Sequence, residues 1–154
     1  MPNWTGNVLT FENTKDAMKV WKGMRIREMD GTEHFSFGAI IPSPKTKEEC
    51  PKEFIITDPS SVHIVLDDFR PWFNWYDWQQ NYWGVKWDAC EAGYDGNVEI
   101  YFDSPWSKPN DEIFQGIADK FHVSFSSYHT YEDDDETQEF NWFPNKEREK
   151  HKLE

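Results

Sequence analysis

The chain has 154 residues, the size of one domain, and carries 29 acids against 16 Lys and Arg, for a formal charge of −13. That balance repels nucleic-acid phosphates and anionic lipid surfaces, so direct nucleic-acid binding and membrane attachment are set aside. Only 37% of residues are apolar but 18% are aromatic, which predicts a core of large rings, each burying roughly 150–250 Å², with no need of metal or disulfide staples.

"NWTGNVLTFEN" opens the chain as a strand of β-branched and aromatic residues. In "NTKDAMKVWKGM", Asn13 is an N-cap with Asp16 three residues on. Ala17, Val20, Trp21 and Met24 then fall at i, i+3, i+4 and i+7, one face of a helix. After the Asp-Gly turn of "MDGT", "HFSFGAII" reads as a second strand, with Phe35, Phe37, Ala39 and Ile41 alternating until Pro42 and Pro44 stop it. An irregular, aromatic-rich insertion follows over about residues 42–96. Within it "VHIVL" is a short strand candidate and "DDFRPWFNWYDWQQNYWG" becomes helix and turn.

"DGNVEIYFD" returns to strand, with Val98, Ile100 and Phe102 alternating. "NDEIFQGIADKF" is the second helix, capped by Asn110, with Asp111 and Glu112 at the positive end of its dipole. "HVSFSSYHTYE" and "QEFNWF" form a closing hairpin around the acidic turn "DDDET". Residues 1–144 therefore read as one domain and 145–154 as a charged tail. The order predicts an α+β ferredoxin-like sandwich, an antiparallel sheet with two helices on one face; a doubly wound parallel sheet is the weaker alternative.

Three segments, "MPNW", "NWYDWQQNYWGVKWDA" and "FDSPWSKP", resemble the YubB-like proteins of plasmids and phages, over Pro2 to about Phe143. The most specific block here reads Asn81-Tyr82-Trp83-Gly84-Val85-Lys86-Trp87-Asp88, with Tyr82 inserted relative to the family pattern. The resemblance implies a ferredoxin-like domain and a mobile-element setting, and brings no catalytic residues. The name refers to topology, because the chain lacks four cysteines for an iron–sulfur cluster.

Cys50 and Cys90 are the only cysteines and read as independent reduced thiols, Cys90 deactivated by its acidic neighbours. The N-terminal residues lack a signal-peptide pattern and no apolar run approaches ~20 residues. A cytoplasmic location in a bacterial host is expected. No metal or cofactor is expected: "EDDDE" lacks calcium-loop spacing, and neither a nucleophile elbow nor a phosphate loop occurs. His122 and His129, seven apart on a strand, point to opposite faces.

Two recognition surfaces stand out. From Asp88 to Glu136 thirteen acids face only Lys108 and Lys120, predicting an acidic face of Asp103, Asp111, Glu112, Glu132, Asp133, Asp134, Asp135 and Glu136. Trp72, Trp75, Trp78 and Tyr82 share a helical stripe and are assigned to the core. Trp83, Lys86, Trp87 and Trp106 fall outside that register and form a candidate aromatic turn. The leading expectation is a non-catalytic protein that occludes a basic, nucleic-acid-binding host protein. The alternatives are an enzyme using Asp77, Asp88 or His129, a sugar binder using the rings with Asn74, Asp77 and Asn81, and a self-associating module.

Overall fold

The computed structural model describes residues 3–28, 30–56, 69, 72–132 and 136–145. The expected strand over 62–66 lies outside them. β1 (Trp4–Phe11) buries every second residue, Thr5, Asn7, Leu9 and Phe11. α1 (Thr14–Gly23) starts at Asn13, whose side chain accepts from the Asp16 amide at 2.9 Å while its own amide reaches back to the Asp16 carboxylate. It buries Ala17 and Val20.

The segment expected as a second long strand forms only β3 (Glu33–Phe35), paired with β2 (Arg25–Arg27) in a small separate hairpin. The backbone then leaves the extended state because the Ser36 hydroxyl accepts from the Gly38 amide at 2.9 Å, which closes a 3₁₀ turn over 37–39. One edge of the main sheet is instead formed by β4 (Cys90–Tyr94), which no sequence pattern announced. Between them lies α2 (Trp75–Tyr82). β5 (Glu99–Pro105), α3 (Asp111–Phe121), β6 (Phe125–Tyr131) and β7 (Thr137–Trp142) complete the chain.

The sheet order is β4-β5-β1-β6-β7, and every pair is antiparallel. Without β7 this is the order of a ferredoxin-like β-α-β-β-α-β unit, so the fold is α+β and ferredoxin-like, extended by one hairpin strand. Among the described residues α2, from the inserted segment, joins α1 and α3 in one core. α1 and α3 cover the buried residues of β1. α2 attaches through rings: Phe102 on β5 packs on Phe37 at 5.4 Å, Phe37 on Trp83 at 5.8 Å, and Trp83 on Trp78 at 5.3 Å. Edge-to-face contacts of this kind add to the area the rings bury. The aromatic density thus fastens the inserted segment to the sheet.

Candidate functional site

Trp83, assigned to the exposed turn, is buried at 4% exposure, and its indole N–H donates to the Ile41 carbonyl at 2.9 Å. Conversely Trp75, assigned to the core, is 46% exposed. The short helix buries Trp78, half-buries Tyr82 and turns its first residue to solvent. Gly84 follows at φ +81, with Asn110 so close that a Cβ would lie 2.3 Å from its side-chain oxygen. Asn110 does not cap α3 with its side chain; it donates to the Asn81 carbonyl at 3.1 Å, tying α3 to α2.

Trp87 and Trp106 of the aromatic turn are exposed, and Lys86 is half-buried. Lys86 lies 4.4 Å from the centre of the Trp87 ring, and Trp87 packs against Trp4 at 5.9 Å. Trp106 is 57% exposed, at φ +70, a conformation that bulky side chains rarely adopt. The Ser107 amide donates to the Pro105 carbonyl at 2.8 Å across it, giving a strained γ-turn. Beneath Trp106 a cleft of about 200 Å³ is lined by Tyr76, Gln80, Lys86 and Ser107 among others.

A buried polar chain holds that turn. The Trp142 indole donates to the Ser127 hydroxyl at 2.9 Å, and Ser127 lies 2.8 Å from His129 Nε2. His129 Nδ1 lies 2.7 Å from Asn7 Oδ1; Asn7 Nδ2 donates to the Ser104 hydroxyl at 2.9 Å, and Ser104 donates to the Ser107 carbonyl at 2.6 Å. Asn7 Nδ2 also meets the Thr5 and Phe102 carbonyls, so Oδ1 must face the imidazole. The histidine is therefore protonated on Nδ1 and accepts from Ser127 at Nε2. A second proton would leave the Ser127 hydroxyl hydrogen without this acceptor. Burial, with the Lys108 charge next in size, lowers the His129 pKa to about 4.

The candidate catalytic side chains are likewise engaged in the fold. Asp88 accepts from the Phe37 and Ala89 amides at 2.8 Å each and from the Ser36 hydroxyl, joining the β3 end to β4. Asp77 accepts from the Asn74 amide at 2.8 Å in the α2 cap. His129 is sealed in the core, and His122 is not on a strand at all: it ends α3 in the left-handed conformation. Cys50 and Cys90 are free thiols; burial, then Asp88, Asp103 and Glu91, push the Cys90 thiol up.

The opposite sheet face carries no helix among the described residues. Its rows follow from the register. Gly93, Tyr101, Val8, Tyr128 and Glu139 cross the sheet side by side; Cys90, Asp103, Gly6, Thr130 and Thr137 form the next row. β4 contains a one-residue bulge between Cys90 and Gly93, where Glu91 takes φ +49. Bulges re-aim side chains, and here Glu91 stands near Asp103. Burial first, then the charges of Glu91 and Glu132, raise the Asp103 pKa. No Lys or Arg pairs with these three acids among the described residues.

The expected acidic face is thus divided. Asp103 and Glu132 come together and recruit Glu91, which sequence reasoning missed because a bulge has no pattern in "CEAGY". Asp111 and Glu112 sit on the helix side of the sheet, Asp111 paired with Lys108 at 2.6 Å. Glu136 is exposed before β7; Asp133, Asp134 and Asp135 lie outside the described residues. No group of three His, Cys, Asp or Glu residues is placed to hold a metal ion among the described residues. No helix among them is long and apolar enough to cross a membrane.

Residues 82–147 match the model of a family described as the ferredoxin-like domain in Api92-like protein. The match covers β4 to β7 with α3 and so contains Glu91, Asp103, Trp106 and Glu132. Neither the curated proteins nor the solved structures give a match.

Proposed function

We propose that this chain is a small acidic binding protein, of the kind carried by phages and plasmids, that occludes a basic surface of a nucleic-acid-binding host protein. The observation that carries the reading is the open sheet face, where the bulge and the register place Asp103 within the electrostatic reach of Glu91 and Glu132 without a cationic partner among the described residues. Like charges held close raise the free energy of the free protein, and a cationic surface relieves that repulsion on docking. Net charge −13 steers the encounter. The mobile-element setting follows from the YubB-like resemblance, and the mechanism is occlusion without chemistry.

The test is displacement of fluorescent DNA from basic DNA-binding proteins of a bacterial host. The protein is expected to displace DNA from at least one, less effectively as salt rises. A double variant, Glu91→Lys with Glu132→Lys, is expected to lose the effect. Failure of the native protein on every member at low salt, or full activity of the double variant, overturns the reading.

A second reading, a binder of sugars or similar small ligands, rests on the cleft under Trp106, where an exposed ring stands beside Gln80, Tyr76 and Ser107. A glycan array sorts it: binding lost in Trp106→Ala supports it, and no binding on the array removes it.

A further inference from the structure

We propose that the open sheet face contains a slot for an arginine side chain, centred on Gly6 and Asp103, which takes an extended arginine-bearing segment of the partner. The inference rests on the basic-partner reading and names the chemistry by which that partner is recognised.

The slot follows from what the register places on the face. Gly6 sits between Asp103 on β5 and Thr130 on β6. A Cβ at Gly6 would lie 4.0 Å from the Asp103 carboxylate oxygen and 3.9 Å from the Thr130 carbonyl. With no side chain there, a trough runs over the middle strand of the sheet, and the carboxylate of Asp103 opens onto it. Its rims are apolar and aromatic. Trp4, packed on Trp87, stands one pleat away on β1, and the row Tyr101–Val8–Tyr128 stands one pleat the other way.

Tyr101 is exposed, and its ring lies over Gly93, where a Cβ would come within 2.4 Å of it. Two glycines on one face therefore lay a ring flat on one strand and open a trough on another.

The carboxylate on the trough wall, with Glu91 and Glu132 near it, calls for a cation. The exposed Tyr101 ring on the neighbouring strand favours a planar guanidinium over other cations. Guanidinium is planar, stacks on aromatic faces, pairs with carboxylate through two parallel N–H bonds and is weakly hydrated. An ammonium offers a compact, strongly hydrated charge and no flat face. The three acids do not converge as metal ligands, so a single divalent ion is a poor occupant. The charge of the face selects a cationic occupant, and the exposed Tyr101 ring beside it favours the guanidinium.

The test compares two peptides of equal length and charge, one Arg-rich and one Lys-rich, titrated into the full chain with tryptophan fluorescence and calorimetry. The Arg peptide is expected to bind about tenfold tighter. Gly6→Val fills the trough at a position whose Cβ has only ordinary contacts, and Asp103→Asn removes the charge without changing shape. Each is expected to erase the preference for Arg while thermal melting shows a folded protein. Equal affinity for the two peptides, no binding of either, or an Arg preference that survives either variant overturns the slot. The Glu91→Lys, Glu132→Lys variant separates the two claims. If it loses DNA displacement while Gly6→Val leaves peptide preference intact, the slot falls and the basic-partner reading stands; if displacement never occurs, the reading itself falls.

Discussion

The two faces of β1 carry polar groups under opposite rules. On the helix side Asn7 is buried, and its amide and carbonyl are all used, so the chain from Trp142 to Ser107 closes with donor meeting acceptor at every joint. On the open side, one residue away, Gly6 lies beside Asp103, a carboxyl whose pKa is raised by burial and then by the charges of Glu91 and Glu132. A buried polar group costs free energy unless its bonds are made. The Asn7 chain therefore explains itself as structure, although Thr5 Oγ1 on the same face is buried without a partner among the described residues. On the second face the proposed function assigns the relief of charge repulsion to a docked cation. The proposed function is read from that open face.

Breaking the satisfied face has the largest effect. Asn7→Ala removes the acceptor of the imidazole N–H and the donor to Ser104 together. It is expected to destabilise the fold by about 3 kcal/mol in urea unfolding. A loss under about 1 kcal/mol would mean that the chain is not holding the sheet end.

The same face sets an acid limit. In the unfolded chain His129 takes its proton near pH 6.5, in the folded protein near 4. The unfolded state thus binds more protons between these values, and stability is full above about pH 6.5 and falls as pH drops toward 4, by about 3 kcal/mol at most. His129→Gln is expected to flatten that part of the stability profile, and an unchanged slope would contradict the assignment.

Much of this fold is legible in the sequence where one period dominates. β1, α1, β5, α3 and β6 follow from alternation, helical spacing and the Asn13 cap. β4 escaped because "CEAGY" has small residues, a glycine and a bulge in place of alternating apolar side chains. The strand read over 34–41 fails for a local reason: Phe35 and Phe37 alternate correctly, but Ser36 bends the backbone between them. Trp75 and Trp83 were exchanged between surface and core because a helix of 8 residues fixes its buried face through tertiary contacts, and Trp83 is chosen by Phe37 and Ile41. Charge alone singles out Asp103 in the sequence; its neighbours on the open face, Gly6 and Glu91, are set by register and bulge.

At the junction of the two faces stands Trp106, pinned at positive φ by the Ser104 and Ser107 contacts. Trp106→Gly is expected to be more stable than Trp106→Ala by about 1 kcal/mol, because alanine keeps the Cβ that makes left-handed backbone costly. Equal stabilities would mean that the turn relaxes when the ring is removed.

The smallest effect belongs to the open face. The Asp103 carboxyl holds its proton more tightly in the folded protein than in the unfolded chain. Its ionisation therefore costs stability, a cost absent at low pH and complete above its folded pKa. Asp103→Asn is expected to raise the melting temperature slightly at neutral pH while weakening cation binding, and a lower melting temperature would assign the carboxylate to the fold.

The central claim is tested most directly by mapping where a cation docks. Amide chemical shifts recorded while the Arg-rich peptide is added should move first for Trp4, Gly6, Glu91, Tyr101, Asp103 and Thr130, with α3 and the Trp106 cleft unchanged. Shifts confined to that cleft or to the α3 N-terminus, with the open face silent, would contradict the account.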